Sequence, residues 1–455
     1  MTVSDRDGPT IASAGDESGP VVSRACEVVD LSYRSFLADR APPRVYWTAP
    51  HGLEIAGGGA AARLRATGDE RFETLRADAE RLFSSPNAAL AGGDDLPAPA
   101  RPRAFGGVAF HAGHDPVTPW EGFPAAEFVV PRIQLTRTDE TTWLTVSASG
   151  TDVAVGDVKR ELEDVRAALA AHPAMQPSGG SPGIAGTRLR TSREEWTRQV
   201  QRATDRIAAG ELRKVVLAQS LEVDLASGIE IPDVLERLRR TYPECYRFLI
   251  EPTDAASFFG APPERLVSLS GRRVETEALA GSVARGETPE EDHELMSSLF
   301  ESEKIRHEQG VVVDTIREQL EPLGEIRVDE RTVRKLATIQ HLRTPIRADL
   351  ADEEHVLSIV EALHPTPAVG GLPPERAWET IRGTETFDRG WYASPVGWFD
   401  ADGDGEFAVA IRSGVASDAR LTLFAGNGIV ADSDPDEEWA EVQLKYRPIL
   451  DALGE

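Results

Sequence analysis

Residues 258–267 read FFGAPPERLV, and they set Glu264 between two runs that otherwise have the character of buried strand. Pro262 and Pro263 remove two backbone donors and fix φ, so they end a strand pairing and aim the side chain that follows. A carboxyl group in such a setting has a raised pKa and keeps its proton, which makes it a candidate acid. Pro-Pro-Glu can also open a helix, but RLVSLSG continues with β-branched and alternating residues to Gly271 and weighs toward strand. A candidate base is Lys214, at the head of the β-branched run KVVLAQS. Two readings of it stand: an edge lysine whose stem snorkels to water, or a desolvated amine with a lowered pKa. Of 49 basic residues only Lys159, Lys214, Lys304, Lys335 and Lys445 are lysine. A composition that favours arginine this strongly keeps lysine by chance, or where the group must lose a proton near neutrality.

Two helical segments carry acids in pattern. Near the C-terminus Glu438, Glu441 and Lys445 are spaced i, i+3, i+7 and share a face. In FESEKIRHEQGVVVDTI, Lys304 and Glu308 are at i, i+4. These are either salt-bridged solvated faces or carboxylates from two helices converging on a hard cation. Mg²⁺ suits the second reading, since it takes one or two protein carboxylates and leaves positions for water and a substrate anion. A third acidic stretch, FDADGDGEF, puts Asp400, Asp402, Asp404 and Gly405 at calcium-loop positions, yet Ile411 stands where a bidentate acid is required. It reads as a hairpin turn.

The elements that must position these groups follow from composition and periodicity. A chain of 455 residues with 40% hydrophobic and 27% charged residues is that of a soluble globular protein with a large core. No apolar run approaches the ~20 residues of a membrane span, and the N-terminus has no signal-peptide pattern. Two cysteines, Cys26 and Cys245, give no disulfide framework and fit the cytoplasm. The net charge of −27 argues against nucleic acid and anionic membrane surfaces as partners. A small anionic substrate then needs local cations or a metal. Residues 1–25 read as a disordered tail, 26–175 as an N-terminal α+β segment, 176–189 as a Gly/Pro/Ser-rich linker, and 190–455 as one region that forms a compact unit with the N-terminal segment. Strands in hairpin-connected runs, with helices at 193–212, 288–322 and 434–453 grouped between them, predict an antiparallel α+β fold.

Ten motifs then occur in order: KVVLAQS, FFGAPPERLV, ETEALAGS, SEKIRHEQGVVVDTI, TIQHLRTPI, ALHPTPAVGG, FDRGWYASPVGW, AIRSG, LFAGNGIV and EEWAEVQLK. Together they resemble the chorismate-utilising enzymes, and within them the isochorismate synthases of menaquinone and siderophore pathways. The resemblance is dense over residues 190–455 and loose before that, through FGGVAFH. It implies large antiparallel sheets packed as an αβ sandwich with a central cleft, a monomer, and chorismate as substrate. Lys214 would activate a water for attack at C2, and Glu264 would protonate the departing C4 hydroxyl. Glu308 and Glu441, with Glu438 acting through water, would hold Mg²⁺ against the ring carboxylate. Arg412 and Tyr392 would clamp the enolpyruvyl carboxylate with the Gly426 amide. His341 and the segment Leu279, Ala280, Gly281 and Ser282 would line the ring, and Lys445 would also face substrate. One position departs from the family pattern: Ile305 stands where many relatives carry an acid, which implies weaker Mg²⁺ binding.

The ammonia-using members of the family are less similar. The anthranilate type usually lacks the lysine at 214, and such enzymes tend to read PIAG where this chain reads ALAG. A salicylate synthase, which would go on to eliminate pyruvate, shares acid and base; HPTPAVGG and VGWFD lean toward the isomerase. A catalytically silent chorismate-binding protein would have lost Lys214, Glu264 or a metal carboxylate, and none is lost.

Overall fold

A computed structural model describes residues 19–29, 31–50, 52–84, 96–170, 180–337 and 339–454, without the side chains of Ala280, Ser282 and Lys304. Most of the expected N-terminal tail thus lies outside the described residues. The N-terminal half contains β1 (Val21–Val28), α1 (Tyr33–Ala38), β2 (Arg44–Thr48), β3 (Glu54–Ala66), α2 (Arg71–Phe83), β4 (Ala104–Val108), β5 (Ala126–Arg137), β6 (Thr142–Ser149) and α3 (Val155–Ala170). Then come β7 (Ile184–Leu189), α4 (Arg193–Ala208), β8 (Lys214–Leu225), α5 (Ile231–Thr241), β9 (Arg247–Thr253), β10 (Ala256–Gly260), β11 (Arg265–Ser270) and β12 (Arg273–Ala284). They are followed by α6 (Pro289–Glu301), α7 (Glu303–Leu320), β13 (Gly324–Val328), β14 (Thr332–Lys335), β15 (Ile339–Leu350) and α8 (Val356–Leu363). The chain closes with β16 (Gly371–Leu372), α9 (Pro374–Thr384), β17 (Pro395–Phe399), β18 (Gly405–Val409), β19 (Ser413–Ser417), β20 (Arg420–Ile429) and α10 (Pro435–Ala452).

Every strand pairing among the described residues is antiparallel, and β5 is where two sheets join. One edge of β5 pairs with β3, from which β2, β9, β10, β19, β20 and β8 follow side by side, ending in β7 and β16. Its other edge pairs with β4 at one end and β6 at the other. From β4 run β17, β18, β11, β12 and β15, ending in β13 and β14, while β1 extends β6. Aromatic side chains fill the space between the two branches: Trp391 meets Phe258 of β10 edge-on at 6.4 Å and lies over Gly107 of β4. Helices α9 and α10 cover β8 and β20, and α7 and α8 cover β12 and β11. This is the antiparallel α+β sandwich expected from the sequence.

Three expectations need correction. The single helix expected over 288–322 is two, because Ser302 takes an extended conformation (ψ 112°) and its hydroxyl caps α7 by accepting from the Ile305 amide at 3.3 Å. Residues 184–189 of the expected linker form β7, since the edge of β8 offers partners from Leu221 to Leu225. Residues 21–25 of the expected tail belong to β1, paired with Thr145–Ser149 of β6. The expected hairpin at FDADGDGEF is present, with β17 and β18 joined through the Phe399–Gly405 pair.

Candidate active site

Strand β8 opens at Lys214 beside β20, and the two run in register, with Gly428 opposite Val216. That glycine is needed there. A Cβ on Gly428 would stand 2.6 Å from Lys214 Cε and 3.1 Å from its Nζ, so the lysine stem lies across bare backbone. The residue is half-buried, and desolvation of its amine pushes the proton affinity down. Glu308 pulls the other way, Lys445 adds to the lowering, and Glu264 and Glu438 oppose it. The stem lies against Gly428 and lines a cavity, which weighs against the edge-lysine reading.

Glu264 sits between β10 and β11, after the proline pair, and is 8% exposed. Its carbonyl accepts from the Val409 amide at 3.1 Å, which fixes the residue against β18. Burial pushes its carboxyl up to about 7, Glu277 adds to this, and Lys214, Arg334 and Arg412 restrain it. A buried acid and a half-buried amine thus lie in each other's field, each shifted toward its neutral form.

Both line one cavity of about 340 Å³, together with Leu279, Gly281, Glu308, His341, Tyr392, Arg412, Gly426, Glu438, Glu441 and Lys445. Twelve of the residues expected from the sequence, spread over more than 230 positions, meet there. The side chains of Ala280 and Ser282 lie outside the described residues. Their backbones flank a bulge in the pairing of β12 with β15, where Gly281 has φ +63°. Ile305 of α7 packs on that glycine, its Cγ2 only 2.5 Å from where a Cβ would be.

Arg412, with His341 beside it, could receive an anion in the same cavity. Arg412 is 8% exposed, and its Nη1 is buried with no hydrogen-bond partner. Its backbone is left-handed (φ +50°), as is that of nearby Ala393 (φ +59°), and such conformations persist only where the surroundings enforce them. His341 is pushed down to about 3 by burial and by Arg412, so its ring is neutral. Nδ1 lies 3.0 Å from the Gly281 carbonyl and must carry the proton, which leaves Nε2 as an acceptor 3.4 Å from Arg412 Nη2. Tyr392 stacks on Phe424 at 5.3 Å, and Phe424 stacks on Trp120 at 5.4 Å. Burial raises the Tyr392 phenol, which stays a donor. Lys445 and Arg412 supply the local cations that the acidic chain otherwise lacks.

On α10, Asp434 caps the first turn by accepting from the Asp436 and Glu437 amides at 2.9 and 3.1 Å. The next turn brings Glu438 to Ser433 Oγ (2.7 Å) and Asn427 Nδ2 (3.0 Å), and Glu441 to Lys445 Nζ (2.9 Å). Burial raises the Glu438 carboxyl, and neighbouring Glu441 adds to that. Among the described residues no group of three or more His, Cys, Asp or Glu side chains is gathered closely enough to hold a metal. The expected ligand set is thus divided: Glu441 is drawn to Lys445, Glu438 is tied to Ser433 and Asn427, and Glu308 comes from α7. The donors still fit a hard divalent cation. All are oxygen, and two are adjacent carboxylates whose mutual repulsion a cation would relieve.

Sequence reasoning missed the residues that hold this wall. Arg389 and Glu385, 2% and 3% exposed, form a buried pair with Nε to Oε2 at 2.9 Å. Arg389 donates to the carbonyls of Val216 and Val369, both at 2.8 Å, and Glu385 accepts from the Ala218 amide at 2.8 Å. Strand β16 pairs with only two residues of β8, and this ion pair takes over where it stops. FDRG contained the arginine, but nothing in one sequence showed that its partners were backbone atoms. Asn427 and Gly428 likewise sat inside a recognised motif with no signal of their own.

The chain belongs to the family of chorismate-binding enzymes, whose model, described as "Chorismate binding enzyme", matches residues 12–454. It is 36% identical over 428 residues to the salicylate biosynthesis isochorismate synthase of Pseudomonas aeruginosa, covering 91% of this chain and 86% of that protein. It is also 36% identical to isochorismate synthase MenF of Bacillus subtilis, over 78% of this chain and 75% of the relative. The solved structure of MenF, the menaquinone-specific isochorismate synthase from Escherichia coli, superposes with a TM-score of 0.78 at 26% identity, covering 97% and 96% of the two chains. No helix among the described residues is long and apolar enough to cross a membrane.

Proposed function

We propose that this protein converts chorismate to isochorismate, by addition of water at C2 and departure of the C4 hydroxyl across the diene. The observation that carries this reading is the pairing of Lys214 and Glu264 in one cavity, the amine shifted toward neutrality and the carboxyl held protonated to about pH 7. Lys214 takes a proton from the attacking water, whose oxygen bonds to C2. The ring double bonds shift, the C4–O bond breaks, and Glu264 gives its proton to the departing hydroxyl, which leaves as water. One water enters and one leaves, so the reaction is an isomerisation. Arg412, with an unused buried donor, and Tyr392 hold the enolpyruvyl carboxylate, with the Gly426 amide beside them. His341, neutral and fixed, lines the ring with Leu279, Gly281 and the backbone at 280–282, and Lys445 faces the same space.

Isochorismate synthases of this family need a divalent metal. We assign Mg²⁺ here, with Glu308 and Glu441 as ligands and Glu438 acting through water. Bound there, it supplies the positive charge against which the ring carboxylate is anchored. The protein acts as a monomer in the cytoplasm, and its product serves a menaquinone, siderophore or related pathway.

Incubating purified protein with chorismate and Mg²⁺ and resolving the products by chromatography tests the assignment. Isochorismate alone is expected; salicylate with pyruvate would make the protein a salicylate synthase, and no turnover would overturn the reading. Lys214→Ala should lose at least about 10²-fold in kcat, the scale of a general base, with its circular dichroism spectrum unchanged.

A further inference from the structure

Asn427 lies in β20 between two glycines, is 2% exposed, and touches two opposite charges at once. Its Nδ2 donates to Glu438 Oε2 at 3.0 Å and to the Glu438 carbonyl at 2.9 Å, while its Oδ1 accepts from Lys445 Nζ. The orientation of the amide is dictated by its neighbours: an ammonium can only donate, and a carboxylate can only accept. The other groups around these charges are also committed. Glu438 Oε1 accepts from Ser433 Oγ at 2.7 Å. Lys445 gives its remaining two protons to the Gly426 carbonyl and to Glu441, both at 2.9 Å. The amide therefore stands as a spacer between a lysine and a glutamate of opposite charge.

We propose that Asn427 is a positioning residue for the cation site: it keeps Lys445 off Glu438 and fixes that carboxylate, so that Glu438 remains open to a divalent cation. The inference rests on the assignment of Glu438 to the metal made above. With Asn427 removed, Lys445 loses one of its three acceptors, and Glu438 becomes the adjacent replacement. An ammonium seated on that carboxylate would compete with the metal-bound water assigned to it. Groups that orient ligands from behind in this way typically change metal affinity by about 10- to 100-fold. Aspartate at this position would repel Glu438, and an aliphatic residue would serve neither neighbour. Asparagine satisfies both because its two ends have opposite polarity.

The test titrates substrate-free wild type, Asn427→Ala and Asn427→Thr with MgCl₂ and MnCl₂ by calorimetry, and measures chorismate turnover as a function of metal. Both variants are expected to bind the cation at least about tenfold more weakly. Turnover lost at low metal should return as metal is raised, with melting temperatures close to wild type. Threonine keeps a β-branched shape suited to a strand but cannot reach both partners, so it reports if the alanine variant fails to fold. Equal affinity in wild type and variants overturns the role of Asn427 and leaves the metal assignment standing. A kcat defect that added metal does not rescue overturns it too. Failure of wild type to bind either cation, with or without chorismate, overturns both.

Discussion

Gly428→Ala is a small change that should separate activity from stability. The added methyl would lie 2.6 Å from Lys214 Cε and 3.1 Å from Nζ, against about 3.5–4.0 Å for an unstrained carbon–carbon contact. The strand is fixed by its pairing with β8, so the flexible lysine tip must give way by about 1 Å. Its backbone φ is not in the left-handed region, so alanine is tolerated and reduces the freedom of the unfolded chain, worth about 0.4–1 kcal/mol of added stability. A displacement of that size at a reacting group costs about 10²-fold in rate. Steady-state turnover of chorismate, with a thermal melt of the same sample, reads both quantities. The expected result is kcat down by about two decades with the melting temperature unchanged or slightly raised. Near-wild-type kcat in a folded variant would refute the claim that the lysine amine acts from the position seen here. A large loss of stability would refute the claim that only the lysine tip must move.

Glu264→Gln should lose about 10²- to 10⁴-fold in kcat and yet stabilise the protein at alkaline pH. A carboxyl raised from 4.5 to about 7 on folding adds nothing adverse below about pH 4.5, but penalises the native state increasingly as pH rises through 7, by on the order of 3 kcal/mol. Denaturant titrations of the two proteins at pH 5 and pH 8 should show the glutamine variant gaining on wild type, and a pH-independent difference would count against a protonated Glu264. The same proton should be visible in kcat/KM, which is expected to fall as pH rises above about 7 because the acid is lost. A flat profile to pH 9 would exclude Glu264 as the proton donor. Ile305→Asp places a carboxylate on the cavity wall one turn before Glu308, and should tighten Mg²⁺ binding by roughly tenfold in calorimetry; unchanged affinity would mean that this position does not face the cation.

Much of the site was legible because the chemistry of each residue was unusual for its setting. A glutamate among prolines and strand, a rare lysine heading an apolar run, and three charges on one helical face could each be noticed alone. What gathered them was not legible from periodicity. Helices α5, α8 and α9 and strand β3 went unread for different reasons. EIAGGGAAARLRA has the glycine content of a turn, but Gly57 and Gly58 are there because Pro131 and Arg40 occupy the space that side chains would need. The break at Ser302 was hidden because helical periodicity resumes after a single residue, although a serine before an acidic turn is a capping signal. Asn427 and the Arg389–Glu385 pair escaped because their partners are distant in sequence or belong to the backbone, and neither leaves a trace in a single chain.

The Arg389–Glu385 pair also constrains how this protein can change over generations. Losing either member alone strands a charge in the interior, at a cost of about 3–5 kcal/mol, which is a large part of what a typical fold has to spare. Exchanging both for apolar residues of similar bulk can cost little in principle, but it requires two substitutions together and would leave the backbone atoms of Val216, Val369 and Ala218 without their present partners. Single-step drift is therefore barred where this pair holds the strand that carries Lys214. Diversification among descendants should accumulate instead on the solvent-facing helices and in the loops between them.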